Sequence, residues 1–235
     1  MNTKKSIEND ANVSIQKNAK LAGLAYLLII LTSILSMIFG PFKLMVEGDN
    51  TATISNITSN QLLFRIGATY DLLMFIGVII LSVVLYNVLK VVNKTIALTA
   101  LYSRIGEALI GSLSVICSII ILFLINSDYS SELIQKMVAL IFEIKNAIMN
   151  IVFTFLGFGS ILFCYLFYKS RFIPKILAAF GVFSFVLVFA ESLAVLLFST
   201  KSLIVTGISA ILFEIVIGLW LIFKGVELTN WNTNK

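Results

Sequence analysis

Hydrophobic residues dominate six long segments of the chain, and short polar stretches separate them. The segments cover residues 19–40, 62–89, 95–125, 146–168, 174–199 and 203–223. Each is long enough to cross about 30 Å of hydrocarbon as an α-helix that rises about 1.5 Å per residue. The pattern therefore predicts an all-α polytopic membrane bundle of six transmembrane helices.

Two polar stretches between these segments also show helical signals. Asp49 precedes residues 50–60 and is a suitable N-cap, which predicts a short surface helix with Ile54 and Ile57 facing lipid or the bundle. Residues 131–145 form an amphipathic stretch that precedes the fourth predicted span. Pro174 falls at the start of the fifth span, where a missing backbone N–H is tolerated.

Small and polar residues recur on one face of each predicted span. In the third span they lie within about 80° of one another at 100° per residue. Small residues let membrane helices approach closely, and polar residues hydrogen-bond across the contact, so these faces are expected to point into the bundle. The members in the third span are Ser103, Glu107, Gly111, Ser114 and Ser118. Gly40, Gly67 and Gly218 hold similar positions in the first, second and sixth spans.

The composition supports a membrane protein and sets its expected orientation. The chain is 59% hydrophobic and 12% charged, about half the charged share of a soluble domain. Eleven of the 17 Lys and Arg residues fall on one side of the six spans, so both termini are predicted to be cytoplasmic. The expected division is a disordered N-terminal tail over 1–17, a transmembrane domain over 18–226 and a cytoplasmic tail over 227–235.

Ionisable residues inside the predicted spans are the strongest chemical signal. A charge at the centre of a membrane helix costs roughly 2.5–3.5 kcal/mol, so such residues need partners or water. Four carboxylates cannot all pair with one arginine in a dry interior, so either water enters or some of them are protonated. Arg104 and Glu107 are three residues apart and could form a structural ion pair. The candidate residues for a polar cavity or buried ion pairs are Asp71, Arg104, Glu107, Asn150, Glu191 and Glu214.

Several classes of chemistry have no support in the sequence. Histidine is absent, and Cys117 and Cys164 each lie in an apolar run, so we expect no metal centre, no disulfide and no cofactor. There is no nucleotide-binding fingerprint and no nucleophile with a base beside it, which leaves an enzyme unsupported. The net charge of +5 fits cytoplasmic loops, so no nucleic acid is expected as a partner.

Several strings resemble those of one bacterial family, the domain of unknown function 4386 family. They are "AKLAGLAYLLIIL", "EGDNTATISNI", "LLFRIGATYDLLM", "LYNVLKVVNKTIAL" and "GFGSILFCYLFYKSRFIPKIL", in this order over about residues 17–226. The resemblance implies a six-span protein and no catalytic residues. The chain is rich in Asn, Ile and Lys, which suggests a low-GC bacterium. With the six spans, the expected location is a bacterial plasma membrane, as a multi-pass protein.

Three functional hypotheses remain open from the sequence. The first is a small transporter or a cation- or proton-conducting protein that uses the buried carboxylates. The second is a non-catalytic protein that regulates or assembles with another membrane protein, so that the partners would be the lipid bilayer and a second membrane protein or another copy of the chain. The third, a lipid-modifying enzyme, needs a nucleophile or a metal site, and three carboxylates within metal-ligand distance of one another would support it.

Overall fold

The structure is a computed structural model that describes residues 2–46, 48–198 and 204–228. These residues form eight α-helices joined by short connections. The helices are α1 (Asn2–Phe39), α2 (Pro41–Leu44), α3 (Asn50–Ser59), α4 (Gln61–Leu89), α5 (Lys94–Ile125), α6 (Ser131–Ser170), α7 (Lys175–Phe198) and α8 (Ile204–Phe223).

The six long helices form a closed ring in chain order. Each of α1, α4, α5, α6, α7 and α8 packs against the next, and α8 packs against α1 to complete the ring. All six contain a stretch that is long and apolar enough to cross a membrane. Large aliphatic side chains such as Leu24, Leu28 and Leu31 of α1 are exposed on the outside of the ring, where lipid would cover them. The predicted six-span helical bundle is therefore confirmed.

Glycines set the closest approaches between neighbouring helices. A Cβ atom on Gly67 of α4 would lie 2.0 Å from the Cα atom of Gly40 at the end of α1. A Cβ atom on Gly23 of α1 would lie 2.6 Å from the carbonyl oxygen of Gly218 in α8. Both distances are too short for any side chain, so α1 is held against both neighbours by the contacts that small residues permit.

The polar face of the third predicted span, which is part of α5, points into the ring of helices. Ser103, Ser114 and Ser118 of α5 are buried, and the ring of Phe75 fills the space beside Gly111, where a Cβ atom would lie 2.1 Å away. A helix face of small residues therefore accommodates an aromatic side chain from α4 in the centre of the bundle.

We call the end of the bundle that carries α2 and α3 the outer end and the opposite end the inner end, following the orientation predicted from the sequence. The 40 residues of α6 span about 60 Å, twice the hydrocarbon thickness, so α6 extends well beyond the membrane at this end. A separate apolar cluster covers the extension: Ile57 of α3 and Phe64 of α4 pack with Ile121, Val138 and Phe142 of α5 and α6. The Asp49 side chain accepts a hydrogen bond from the Ala52 N–H at 2.9 Å, which confirms the predicted cap of α3.

At the inner end, hydrogen bonds connect α1 to the segment that follows α8. The Val226 N–H donates to Oε1 of Gln16 at 3.0 Å, and Nε2 of Gln16 donates to the Val226 carbonyl. Gly225 adopts a φ of 70° after α8, a conformation that favours glycine, and it turns the chain back towards α1. The Glu227 N–H then donates to the Phe172 carbonyl at 2.9 Å between α6 and α7.

Two helix boundaries differ from the sequence-based expectation. The first helix begins at Asn2 and not near residue 19, because no proline or glycine interrupts the chain between Asn2 and Ala22. The division of the chain into two tails and a transmembrane domain stays a prediction. The amphipathic stretch 131–145 and the span 146–168 are one helix, because no proline or glycine interrupts the chain between Ser131 and Leu156. Most of the predicted C-terminal tail lies outside the described residues, and the cytoplasmic position of both termini remains a prediction.

Candidate functional site

The structure distributes the six predicted polar residues over three places inside the ring. Arg104 and Glu107 form a buried pair in α5. Asn150, Glu191 and Glu214 line one cavity, which we call the acidic cavity. Asp71 lines a second one, which we call the mixed-charge cavity because Lys145 also faces it. The carboxylates therefore do not share one space.

The buried pair lies deepest in the packing. Nη1 of Arg104 is 2.7 Å from Oε2 of Glu107, and the two residues are 3% and 4% exposed. The same Nη1 donates to the Ser160 hydroxyl of α6 at 3.3 Å. The contact with Glu107 is poorly directed, so Oε2 makes no well-oriented hydrogen bond to any described residue, and charge holds the pair. Neither residue lines either cavity, which fits the structural role considered for them.

The acidic cavity lies between α6, α7 and α8 and has a volume of about 260 Å³. Its apolar wall includes Phe153, Leu156 and Phe185. All three helices contribute polar side chains to its wall, so carboxylate, amide and hydroxyl groups face the same space. The polar residues that line it are Asn150, Glu191, Ser192, Thr206 and Glu214.

Hydrogen bonds fix most of the polar wall of the acidic cavity. Nδ2 of Asn150 donates to the Ser192 carbonyl at 3.2 Å, and the Thr206 hydroxyl donates to Oε2 of Glu191. Glu214 accepts no hydrogen bond from a described residue and lies within electrostatic range of Arg104. Among the described residues, Arg104 is the cation near Glu214, and its guanidinium group already contacts Glu107, so Glu214 has no described cation to itself.

The mixed-charge cavity lies between α1, α4, α5 and α6 and has a volume of about 460 Å³. The Ser36 hydroxyl of α1 donates to Oδ1 of Asp71 at 2.5 Å. Nζ of Lys145 donates to the Ser118 hydroxyl of α5 at 2.6 Å. Asp71 and Lys145 interact electrostatically across the cavity and form no direct ion pair. Phe153 of α6 lines both cavities and stands between them.

The charged groups lie at different depths. Counted from the inner ends of their helices at about 1.5 Å per residue, Glu214 lies about 14 Å deep, Glu191 about 24 Å and Asp71 about 27 Å. Lys145 lies about 38 Å from the inner end of α6, beyond the roughly 30 Å of hydrocarbon. The acidic cavity therefore reaches the membrane midplane, and the mixed-charge cavity lies near the outer interface.

Sequence reasoning missed Lys145 and the hydroxyl groups around the carboxylates. Lys145 is the last residue of the amphipathic stretch 131–145, just before the fourth predicted span at residue 146, so it is not among the predicted residues inside the spans. Once α6 is read as one helix, Lys145 shares a face with Phe142, Met149 and Phe153, and this spacing would have placed it towards the cavity. Thr206 and Ser36 carry no comparable signal, since Ser and Thr are common in membrane helices.

Metal chemistry gains no support from the geometry. Among the described residues, no three Cys, Asp or Glu side chains come close enough together to hold a metal ion. Such a group would have supported the lipid-modifying enzyme considered from the sequence.

The ring of apolar helices with polar cavities inside it defines a multi-pass integral membrane protein. The chain belongs to the family described as Domain of unknown function (DUF4386), whose model matches residues 21–225. The match covers all six long helices, from the membrane part of α1 to the turn after α8. The family resemblance seen in the sequence is therefore confirmed.

No similar protein is found among curated proteins or among solved structures.

Proposed function

We propose that the chain is a small transporter that binds a proton or a monovalent cation in the acidic cavity and moves it across the membrane. The observation that carries the proposal is that Glu191 and Glu214, from two different helices, line one cavity within the membrane together with Asn150, Ser192 and Thr206. Oxygen atoms from carboxylate, amide and hydroxyl groups are the ligands that hard cations prefer.

The charge in this cavity supports a cationic occupant. An uncompensated carboxylate inside a bundle costs several kcal/mol, and a proton or a bound cation removes that cost. Arg104 is the cation within electrostatic range of Glu214, but its guanidinium group contacts Glu107 at 2.7 Å. The cavity is therefore suited to an occupant that brings positive charge.

Flux through reconstituted protein tests the proposal. Purified wild-type protein in liposomes that contain a pH-sensitive dye should pass H⁺, Na⁺ or K⁺ down an imposed gradient faster than empty liposomes. For the Na⁺ and K⁺ gradients a protonophore is added, so that compensating H⁺ movement reports the cation flux. Glu191→Gln and Glu214→Gln should each lower that flux about ten-fold or more, the change that ~1.4 kcal/mol of lost interaction produces. Glu132→Gln is the matched control, because Glu132 lies at the exposed start of α6 and pairs only with Lys136.

Two results would contradict the proposal. Wild-type liposomes that conduct none of the three cations would remove its basis, and full flux in both variants would separate conduction from the acidic cavity. A membrane protein that copurifies in fixed stoichiometry, with both variants retaining the complex, would then favour the alternative of a regulatory or assembly partner. The plasma membrane of a bacterium is the proposed location, on the basis of the composition.

A further inference from the structure

We propose that the mixed-charge cavity is a binding site for a small zwitterion of the amino-acid class. In this site Asp71 would receive the ammonium group of the ligand, Lys145 would receive its carboxylate, and the apolar wall would receive its side chain. This proposal goes beyond cation movement, because it concerns another cavity and other charged residues.

The two charged groups are presented to the cavity rather than to each other. Each is held by one hydroxyl group, since Asp71 accepts from Ser36 at 2.5 Å and Lys145 donates to Ser118 at 2.6 Å. Both residues line the same space from different helices, and they form no direct ion pair. A carboxylate can accept several hydrogen bonds and an ammonium group can donate three, so both retain capacity for a ligand.

A ligand with both charges satisfies this arrangement better than a ligand with one. An amine could pair with Asp71 but would leave Lys145 without a negatively charged partner. A simple carboxylate could pair with Lys145 but would leave Asp71 without a positively charged partner. A polar group that a ligand leaves unpaired in a desolvated site strongly reduces binding, and this penalty is what separates a zwitterion from its singly charged analogues.

The rest of the cavity determines the kind of zwitterion. Its volume of about 460 Å³ is within the usual range for small-ligand sites. Met74 and Met149, together with Phe75 and Phe142, give it a flexible apolar wall that suits an aliphatic, thioether or aromatic side chain. Met37 is 68% exposed and also lines the cavity, so the cavity reaches the bundle surface near its outer end.

Binding to the full chain tests this assignment. The protein is placed in nanodiscs of phosphatidylglycerol, which has no ammonium group, and titrated with L-leucine, L-methionine and L-phenylalanine by calorimetry. At least one should bind saturably. For leucine, the matched probes are 4-methylpentanoate, which lacks the ammonium group, and 3-methylbutylamine, which lacks the carboxylate. Each matched probe should bind about ten-fold or more weakly than the amino acid, or not at all.

Substitutions connect the binding to the two charges. Asp71→Asn and Lys145→Met should each raise the Kd of the bound amino acid about ten-fold or more. Lys136→Met and Glu132→Gln are matched controls on α6, since their side chains are 72% and 79% exposed, and they should leave the Kd unchanged. If a charge variant does not elute as a monodisperse species, Ser36→Ala and Ser118→Ala replace it, because each removes the hydroxyl group that orients one charge. These two variants should raise the Kd about three-fold or more.

Four results would overturn the proposal. These are the absence of binding by all three amino acids, equal binding of the amine or the acid alone, unchanged Kd values in the charge or serine variants, and stabilisation of the wild type by phosphatidylethanolamine but not by amino acids. The last result would assign the cavity to a lipid headgroup. Because the assay measures binding without a gradient, its failure is distinguishable from a failure of cation flux.

Discussion

Arg104 and Glu107 show how one residue pair can organise the interior of the bundle. Both are almost fully buried, and Arg104 also reaches Ser160 of α6. Breaking a buried pair leaves one charge without compensation, whereas replacing both members with apolar side chains removes the problem. The pair is therefore expected to determine how α5 packs on α6 more than it adds to stability.

A double-mutant cycle at this pair tests that role. Arg104→Met and Glu107→Leu should each lower the free energy of unfolding by about 3–5 kcal/mol, because each leaves one buried charge alone. The double variant should lose clearly less than the sum of the two single losses, with a coupling energy of about 1–3 kcal/mol. Unfolding of purified protein in mixed micelles by increasing sodium dodecyl sulfate measures all four proteins. Additive losses would show that the two side chains do not act as a pair.

Glycine contacts control packing at the scale of whole helices. The crossing of α1 and α4 depends on Gly40 and Gly67, and the crossing of α1 and α8 depends on Gly23 and Gly218. The second crossing lies near the inner end and closes the ring. At each crossing the two backbones are in direct contact, with no side chain between them. A larger residue in place of a glycine would therefore not fit there.

Two alanine substitutions separate packing from helix propensity. Gly67→Ala should lower the free energy of unfolding by about 1–3 kcal/mol, because its Cβ atom would lie 2.0 Å from the Cα atom of Gly40. Gly207→Ala in α8 should be neutral or stabilising by up to about 1 kcal/mol, since no atom lies within 4 Å of the added methyl group. The same detergent titration compares both variants. Equal stabilities of the two variants would contradict the close crossing of α1 and α4.

Hydrophobic periodicity predicted the helices much better than it predicted the site. The apolar segments are long and continuous, so the number of spans and the inward direction of the α5 stripe follow from local composition. The division of the carboxylates between two cavities does not follow from local composition, because it depends on the order of the helices around the ring and on the position of Phe153. The position of Lys145 in a cavity was not predicted, because the fourth span was expected to begin at residue 146, one residue after it.

At the scale of the molecule, the closed ring explains why polar groups can exist inside a membrane. The apolar outer faces are suited to lipid, and the six predicted polar residues and Lys145 lie in the buried pair or line the two cavities. Counted along the helices, the acidic cavity lies closer to the middle of the bundle and the mixed-charge cavity lies closer to its outer end. This arrangement is the basis of both functional proposals.

Both functional proposals depend on one central claim, which is that water reaches the two cavities, and cysteine reactivity measures this access most directly. Glu191→Cys and Asp71→Cys place a thiol in each cavity, and Leu212→Cys places one on the exposed apolar face of α8. The native Cys117 and Cys164 are buried, so wild-type protein gives the background. Only a hydrated thiol forms the reactive thiolate, so a charged methanethiosulfonate reagent should label both cavity positions about ten-fold or more faster than Leu212→Cys. Labelling of the cavity positions at the rate of Leu212→Cys would show that the carboxylates lie in dry packing and would contradict the account.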